Sequence, residues 1–213
     1  MIKALGTVLL LLAAQNLSAA EPVTLSERTY RPDSGVLMLG LNWGRTWKCG
    51  RFENAQIEAL TFRRSPLTSD NQVSLELKTP SKIAVEDKFV PYAFVVEPGE
   101  YILTGFDVKV ARSVSDVGHL KGSEENLVKD GKPMGGRFSV NAGEAVYIGH
   151  FGLDCGAEPF LWRHYLESRK EFEGWVAQFR EEYPFVRQLP TQVRLFETTS
   201  LGNPFALANP TIK

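Results

Sequence analysis

"FVPYAFVVEPGEYILTGFDVKVA", residues 89–111, consists of two β-rich runs separated by Pro98-Gly99. Proline presets φ at the first corner of a tight turn, and glycine accepts positive φ at the second. The stretch therefore predicts two strands, 89–97 and 100–111, joined as a hairpin. Pro91 has no N–H to offer a ladder, which puts the first run at a sheet edge.

The same grammar extends in both directions. "GVLMLGLNW" (35–43) is a continuous apolar run behind Asp33-Ser34-Gly35 and suits a buried strand. "GRTWKCGRFENA" (44–55) reads as a loop, and "QIEALTFRR" (56–64) as a strand with Ile57, Ala59 and Thr61 on one face. "NQVSLELK" (71–78) alternates Val73, Leu75 and Leu77 against Ser74 and Glu76, the pattern of a half-buried strand. Residues 112–136 are polar and glycine-rich and read as a long loop, in which "ENLVKDGKPM" could form a small flap turning at Asp130-Gly131. "RFSVNAGEAVYIGHFGL" (137–153) gives two strands around Asn141-Ala142-Gly143, and "PFLWRHYL" (159–166) is a hairpin partner for the second.

One helix stands out. Ser168 and Glu171 match the Ser-x-x-Glu capping box, and Phe172, Val176, Phe179 and Tyr183 make one apolar stripe before Pro184. "QVRLFET" (192–198) is the last strand, and Phe205 and Leu207 sit in a coil-like tail. Strands do not alternate with helices, so a doubly wound parallel sheet is disfavoured. The reading is a mainly β chain: an antiparallel β-sandwich of eight or nine short strands with one amphipathic C-terminal helix at about 168–183.

The chain has 213 residues, 43% hydrophobic and 23% charged, which is enough for a core and argues against disorder. A formal charge of −1, with no basic stripe among the aromatics, argues against nucleic acid as a partner. Residues 1–20 differ in kind: Lys3, an apolar run to Ala14, then Ser18-Ala19-Ala20. This is the pattern of a cleavable secretory signal peptide, leaving 21–213 as one sandwich domain. No later segment is apolar enough to cross a bilayer as a helix, so the expectation is a periplasmic protein with no transmembrane segment after cleavage. Cys49 and Cys155 are the only cysteines, and an even count in an oxidising compartment predicts a disulfide between them.

"VEPGEYILTGFDV" (96–108) with "GRFSVNAGEAVYIGHFGLDC" (136–155) resembles a group of exported bacterial β-sandwich domains of unknown function. The resemblance implies an immunoglobulin- or transthyretin-like sandwich in the cell envelope. It carries no assigned catalytic residues.

No stretch forms a specific catalytic motif. His150, Asp154 and Cys155 lie close in sequence, but a period-two strand puts His150 on the face of Val146 and Ile148, as an ordinary packed residue. His119, His150 and His164 have no metal-ligand spacing, so no metal site and no cofactor are expected. The candidate binding patch is aromatic and basic: Trp43, Arg45, Trp47, Lys48, Arg51 and Trp162, gathered by the disulfide. The candidate functional loop carries His119, Lys121, Lys129 and Lys132. The expected function is a non-catalytic interaction module of the envelope whose partner is another envelope or secreted protein. The alternatives are an inhibitor or immunity-type protein using 112–136 as a plug, and an envelope hydrolase.

Overall fold

The computed structural model of the chain describes residues 23–198, apart from positions 27, 72, 81–85, 157, 165 and 167. The expected signal peptide and the tail with Phe205 and Leu207 lie outside the described residues. The chain is mainly β, with a C-terminal helix where the capping pattern places it.

Two six-stranded sheets face each other. The first contains β1 (Val23–Thr24), β6 (Phe89–Val96), β2 (Gly35–Asn42), β12 (Ala145–Asp154) and β13 (Phe160–His164), in that order. β14 (Thr191–Val193) joins the same side of β12 as β13, one at each end of its length. The second is built on two long partners, β4 (Phe52–Arg64) and β7 (Gly99–Ala111). β3 (Thr46–Cys49) and β5 (Ser74–Lys78) share the outer edge of β4. β8 (Val117–Gly122) and β11 (Arg137–Val140) share that of β7.

Helix α2 (Arg169–Glu182) backs the first sheet, so that sheet is covered on both faces. This is why β2 is a continuous apolar run rather than an alternating one. Leu37, Leu39 and Leu41 face the second sheet, against Ile57, Leu60 and Phe62 of β4. Val36 and Met38 face the other way, towards Phe179 and Val186. Phe62 meets Phe138, Phe151 and Phe196 edge-on, with ring centroids 5.3, 6.1 and 6.1 Å away.

The Pro98-Gly99 turn is a corner between the two sheets and not a hairpin. β6 belongs to the first sheet and β7 to the second, and the two strands do not pair. Gly99 takes φ +153°, and the Tyr101 hydroxyl donates to the Glu97 carbonyl at 2.8 Å, bracing the corner from inside. The turn chemistry is the same in both cases; what differs is the packing of both strands' inner faces into one core. Pro91 does lie on the edge side of β6, beyond the two-residue reach of β1.

Three further differences have simple causes. First, β2 and β14 run parallel to β12, while every other strand pair among the described residues is antiparallel. The second sheet is inserted in the sequence between β2 and β12, and such a long crossover permits parallel neighbours. Second, residues 44–55 are a β3–β4 hairpin rather than a loop. Its two-residue turn, Gly50-Arg51, has glycine at φ +60° at the first corner. Third, residues 112–136 are largely ordered and not a long loop. They hold β8, a short helix α1 (Glu124–Leu127), and, as the flap reading has it, a hairpin of β9 (Val128–Lys129) and β10 (Lys132–Pro133) turning at Asp130-Gly131. The sequence of β8 resembles a loop because it is an edge strand with its odd-numbered side chains, Val117, His119 and Lys121, in solvent.

Candidate functional site

The disulfide links Cys49, at the end of β3, to Cys155, just past β12, with Cα atoms 4.4 Å apart. It ties the tip of the second sheet's β3–β4 hairpin to the end of a central strand in the first. Arg51 repeats the tie at the surface, its guanidinium 3.0 Å from Glu158. Cys155 is thus oxidised, and a Cys155 thiolate with a histidine base is not available.

The pinned tip carries an aromatic and cationic surface. Trp47 is 64% exposed, with the Arg45 guanidinium 5.6 Å from its ring centre. Phe52 lies beneath the tip, flanked by Arg51 at 5.2 Å and Arg112 at 5.0 Å. Lys48 is exposed and holds φ +56°, an uncommon conformation for a residue with a β-carbon. Of the residues expected in a binding patch, Arg45, Trp47, Lys48 and Arg51 lie together at this tip. Trp43 is not part of it: it is only 2% exposed, and its indole N–H donates to the Tyr92 hydroxyl at 3.0 Å. The apolar run ending at Trp43 continues into the core because its strand is covered on both faces. Trp162 lies on β13 opposite Gly152, half-buried. Arg112 has no local sequence signal; it reaches the tip only because β7 runs beside β4, with Ala111 opposite Asn54.

The four residues of the expected functional loop divide between two places. Lys129 and Lys132 flank the Asp130-Gly131 turn, both exposed. His119 and Lys121 lie on β8, against Asp107 of β7 and Glu58 of β4. The His119 Nδ1 is 2.8 Å from Asp107 Oδ1 and 3.8 Å from Glu58 Oε2, and Lys121 Nζ is 3.0 Å from Asp107 Oδ2. Partial burial pushes the Asp107 carboxyl up, but the hydrogen bonds and charges of His119 and Lys121 outweigh it and leave the group below its ordinary range. Nothing in the sequence singles out Glu58 and Asp107. Only the pairing of three non-consecutive strands brings them to His119.

His150 is placed differently from the period-two expectation. Between Tyr147 and His150, β12 advances three residues while β2 advances two, from Met38 to Gly40. Gly149, at φ +112°, sits in this bulge. The extra residue reverses the alternation, so Phe151 joins Val146 and Ile148 between the sheets. His150 instead joins Tyr147 under helix α2. Its ring meets Trp175 at 4.1 Å and Phe89 at 4.9 Å, and its Nδ1 bonds the Tyr147 hydroxyl. Burial pushes the Tyr147 phenol well above its ordinary value. Arg163 of β13 is buried nearby, its charge partly opposing that rise. His164 is paired with His150 through the backbone.

A cleft of about 240 Å³ opens between the sheets, at the side where β1 and β5 form the edges. Stacked Tyr92 and Phe94 line it with Trp43, and Glu76 and Lys78 bridge each other at its rim. Leu41, Leu77 and Thr24 complete the lining.

The fold and this surface define a helix-backed, disulfide-linked β-sandwich with an exposed aromatic and cationic tip. No family model, no curated protein and no solved structure matches the chain.

Proposed function

We propose that this chain is an exported, non-catalytic interaction module of the periplasm that binds another envelope or secreted protein through its disulfide-pinned tip. The observation that carries this reading is Trp47, left in solvent beneath Arg45 on a hairpin that is otherwise fixed. A large apolar ring costs solvation free energy when exposed, and tryptophan and arginine dominate the energetics of protein interfaces. A rigid tip loses little entropy on binding. The Cys49–Cys155 bond supports an oxidising compartment, and no described helix is long and apolar enough to cross a membrane.

The test is capture from envelope extract by the purified protein, beside a Trp47→Ala, Arg45→Ala variant. The expected result is a protein retained by the unaltered chain and lost with the variant. Retention of the same protein by both would remove the tip from the interface, and retention of none over a range of salt concentrations would sink the interaction reading.

A further inference from the structure

We propose that Glu58, Asp107 and His119 form a binding site for one divalent transition-metal ion of the zinc class, on the outer face of the second sheet. One donor atom from each residue lies within 4.8 Å of the other two. A tetrahedral ion with bonds of about 2.0–2.2 Å to nitrogen and oxygen needs ligand atoms spaced about 3.4 Å apart. The separations of 2.8 Å and 3.8 Å from His119 Nδ1 to the two carboxylates bracket that spacing.

The donors are held by the sheet. They come from three adjacent strands, β4, β7 and β8, with Asp107 opposite Ala59 on one side and Lys121 on the other. Glu58 falls in a bulge, where β4 advances from Ile57 to Ala59 while β7 advances by one residue. Bulges redirect side chains at such sites. The Glu58 carboxylate is only 12% exposed and is directed at His119. Lys121 holds the Oδ2 of Asp107 and leaves Oδ1 towards the imidazole, a supporting contact that orients the ligand oxygen. The three donors leave further coordination positions facing solvent, filled by water or by a group from a partner.

The chemistry of the set selects the ion. Imidazole suits zinc, copper and nickel, whereas calcium and magnesium take oxygen donors and are drawn largely by net negative charge. Here the Lys121 ammonium sits on Asp107, and Lys109 lies directly opposite His119 in the strand pairing. Together they offset the two carboxylates and repel any divalent cation alike, so little net negative charge is left to draw a hard cation. A zinc-class ion gains in addition the bond to the His119 imidazole, which calcium does not.

The experiment is calorimetric titration of Zn²⁺, and separately Ca²⁺, into the untagged protein with its disulfide intact. One Zn²⁺ should bind per chain, with Ca²⁺ at least about tenfold weaker. His119→Ala should reduce Zn²⁺ affinity by about a hundredfold or more, and Glu58→Gln by about tenfold. His119 is exposed on an edge strand, so the variant should fold. The imidazole signals of His119 should also shift on Zn²⁺ addition to the unaltered chain, which tests the site without a substitution. Absence of Zn²⁺ binding, unchanged binding in His119→Ala, or Ca²⁺ binding as tightly as Zn²⁺ would each overturn the proposal.

Discussion

The His150 ring packs directly over Gly40: a β-carbon on Gly40 would stand 2.2 Å from His150 Cδ2. The ring has no room to retreat, with Trp175, Phe89 and the Tyr147 hydroxyl around it. Gly40→Ala should therefore destabilise the protein by about 1–3 kcal/mol, the usual range for overpacking. Urea unfolding measures this; an unchanged midpoint would mean that the ring yields freely.

Two other glycines should respond to alanine with opposite signs. Gly149 holds φ +112° in the β12 bulge, a conformation that alanine resists. Gly149→Ala should cost at least about 1 kcal/mol. Gly174 lies on the exposed side of α2, and a β-carbon added there would meet nothing within 4 Å. Gly174→Ala should stabilise by about 0.5–1 kcal/mol through helix propensity alone. Melting curves of the two variants that moved in the same direction would contradict this assignment.

The tip surface should be dispensable for folding. Trp47 is exposed, and its contact with Arg45 is at the surface. Trp47→Ala should change stability by less than about 0.5 kcal/mol. Trp43→Ala, at the core end of the same segment, removes a buried ring hydrogen-bonded to Tyr92 and should cost about 3–5 kcal/mol. Chemical denaturation of the pair separates an exposed tryptophan that the fold does not need from one that packs the core.

The strands are legible in the sequence where one face is wet, as in Leu75 and Leu77 of β5, and α2 is legible from Ser168 and its apolar stripe. Which strand pairs with which is not. Pro98-Gly99 has the same local chemistry whether its strands share a sheet or face each other across a core, because the choice is made by distant partners: β1 and β2 for β6, and β4 for β7. Bulges are the second blind spot. One inserted residue at Gly149 moves His150 from the inner face to the helix side, and another near Glu58 turns that carboxylate towards His119. Local alternation cannot signal a parity change whose cause is the register of a neighbouring strand. The disulfide is readable because two cysteines permit one pairing, but the tip that it pins is not, since Arg112 arrives there from β7.

Removing the disulfide should weaken the sandwich measurably. Cys49 and Cys155 are 106 positions apart, so their bond restricts a large part of the unfolded chain. The Cys49→Ser, Cys155→Ser variant should lose about 2–4 kcal/mol. Unfolding of the unaltered chain with and without reductant should give the same difference. Stability that is indifferent to both would show that the sheets' packing alone determines the tip.

Glu144 gives the fold an acid dependence with a definite sign. Arg194 donates to it at 2.6 and 3.4 Å, the Asn141 N–H donates at 2.7 Å, and the same guanidinium also reaches the Ser139 carbonyl at 2.8 Å. Partial burial raises the carboxyl, but the bonds from Arg194 and Asn141 prevail and hold it below its ordinary 4.5. A carboxylate lowered in the folded state binds fewer protons there than in the unfolded chain. Its stabilisation is thus complete above about pH 4.5 and is lost as the pH falls through the lowered folded value. Glu144→Gln should cost about 1–3 kcal/mol at neutral pH, as expected for hydrogen bonds to a charged group. The gap between the two proteins should close steadily as the pH drops below 4.5, because the protonated carboxyl then resembles the amide. Denaturant midpoints taken from about pH 7 to about pH 3 provide the check, and a gap that stays constant across that range would show that the Arg194 contact contributes nothing through its charge.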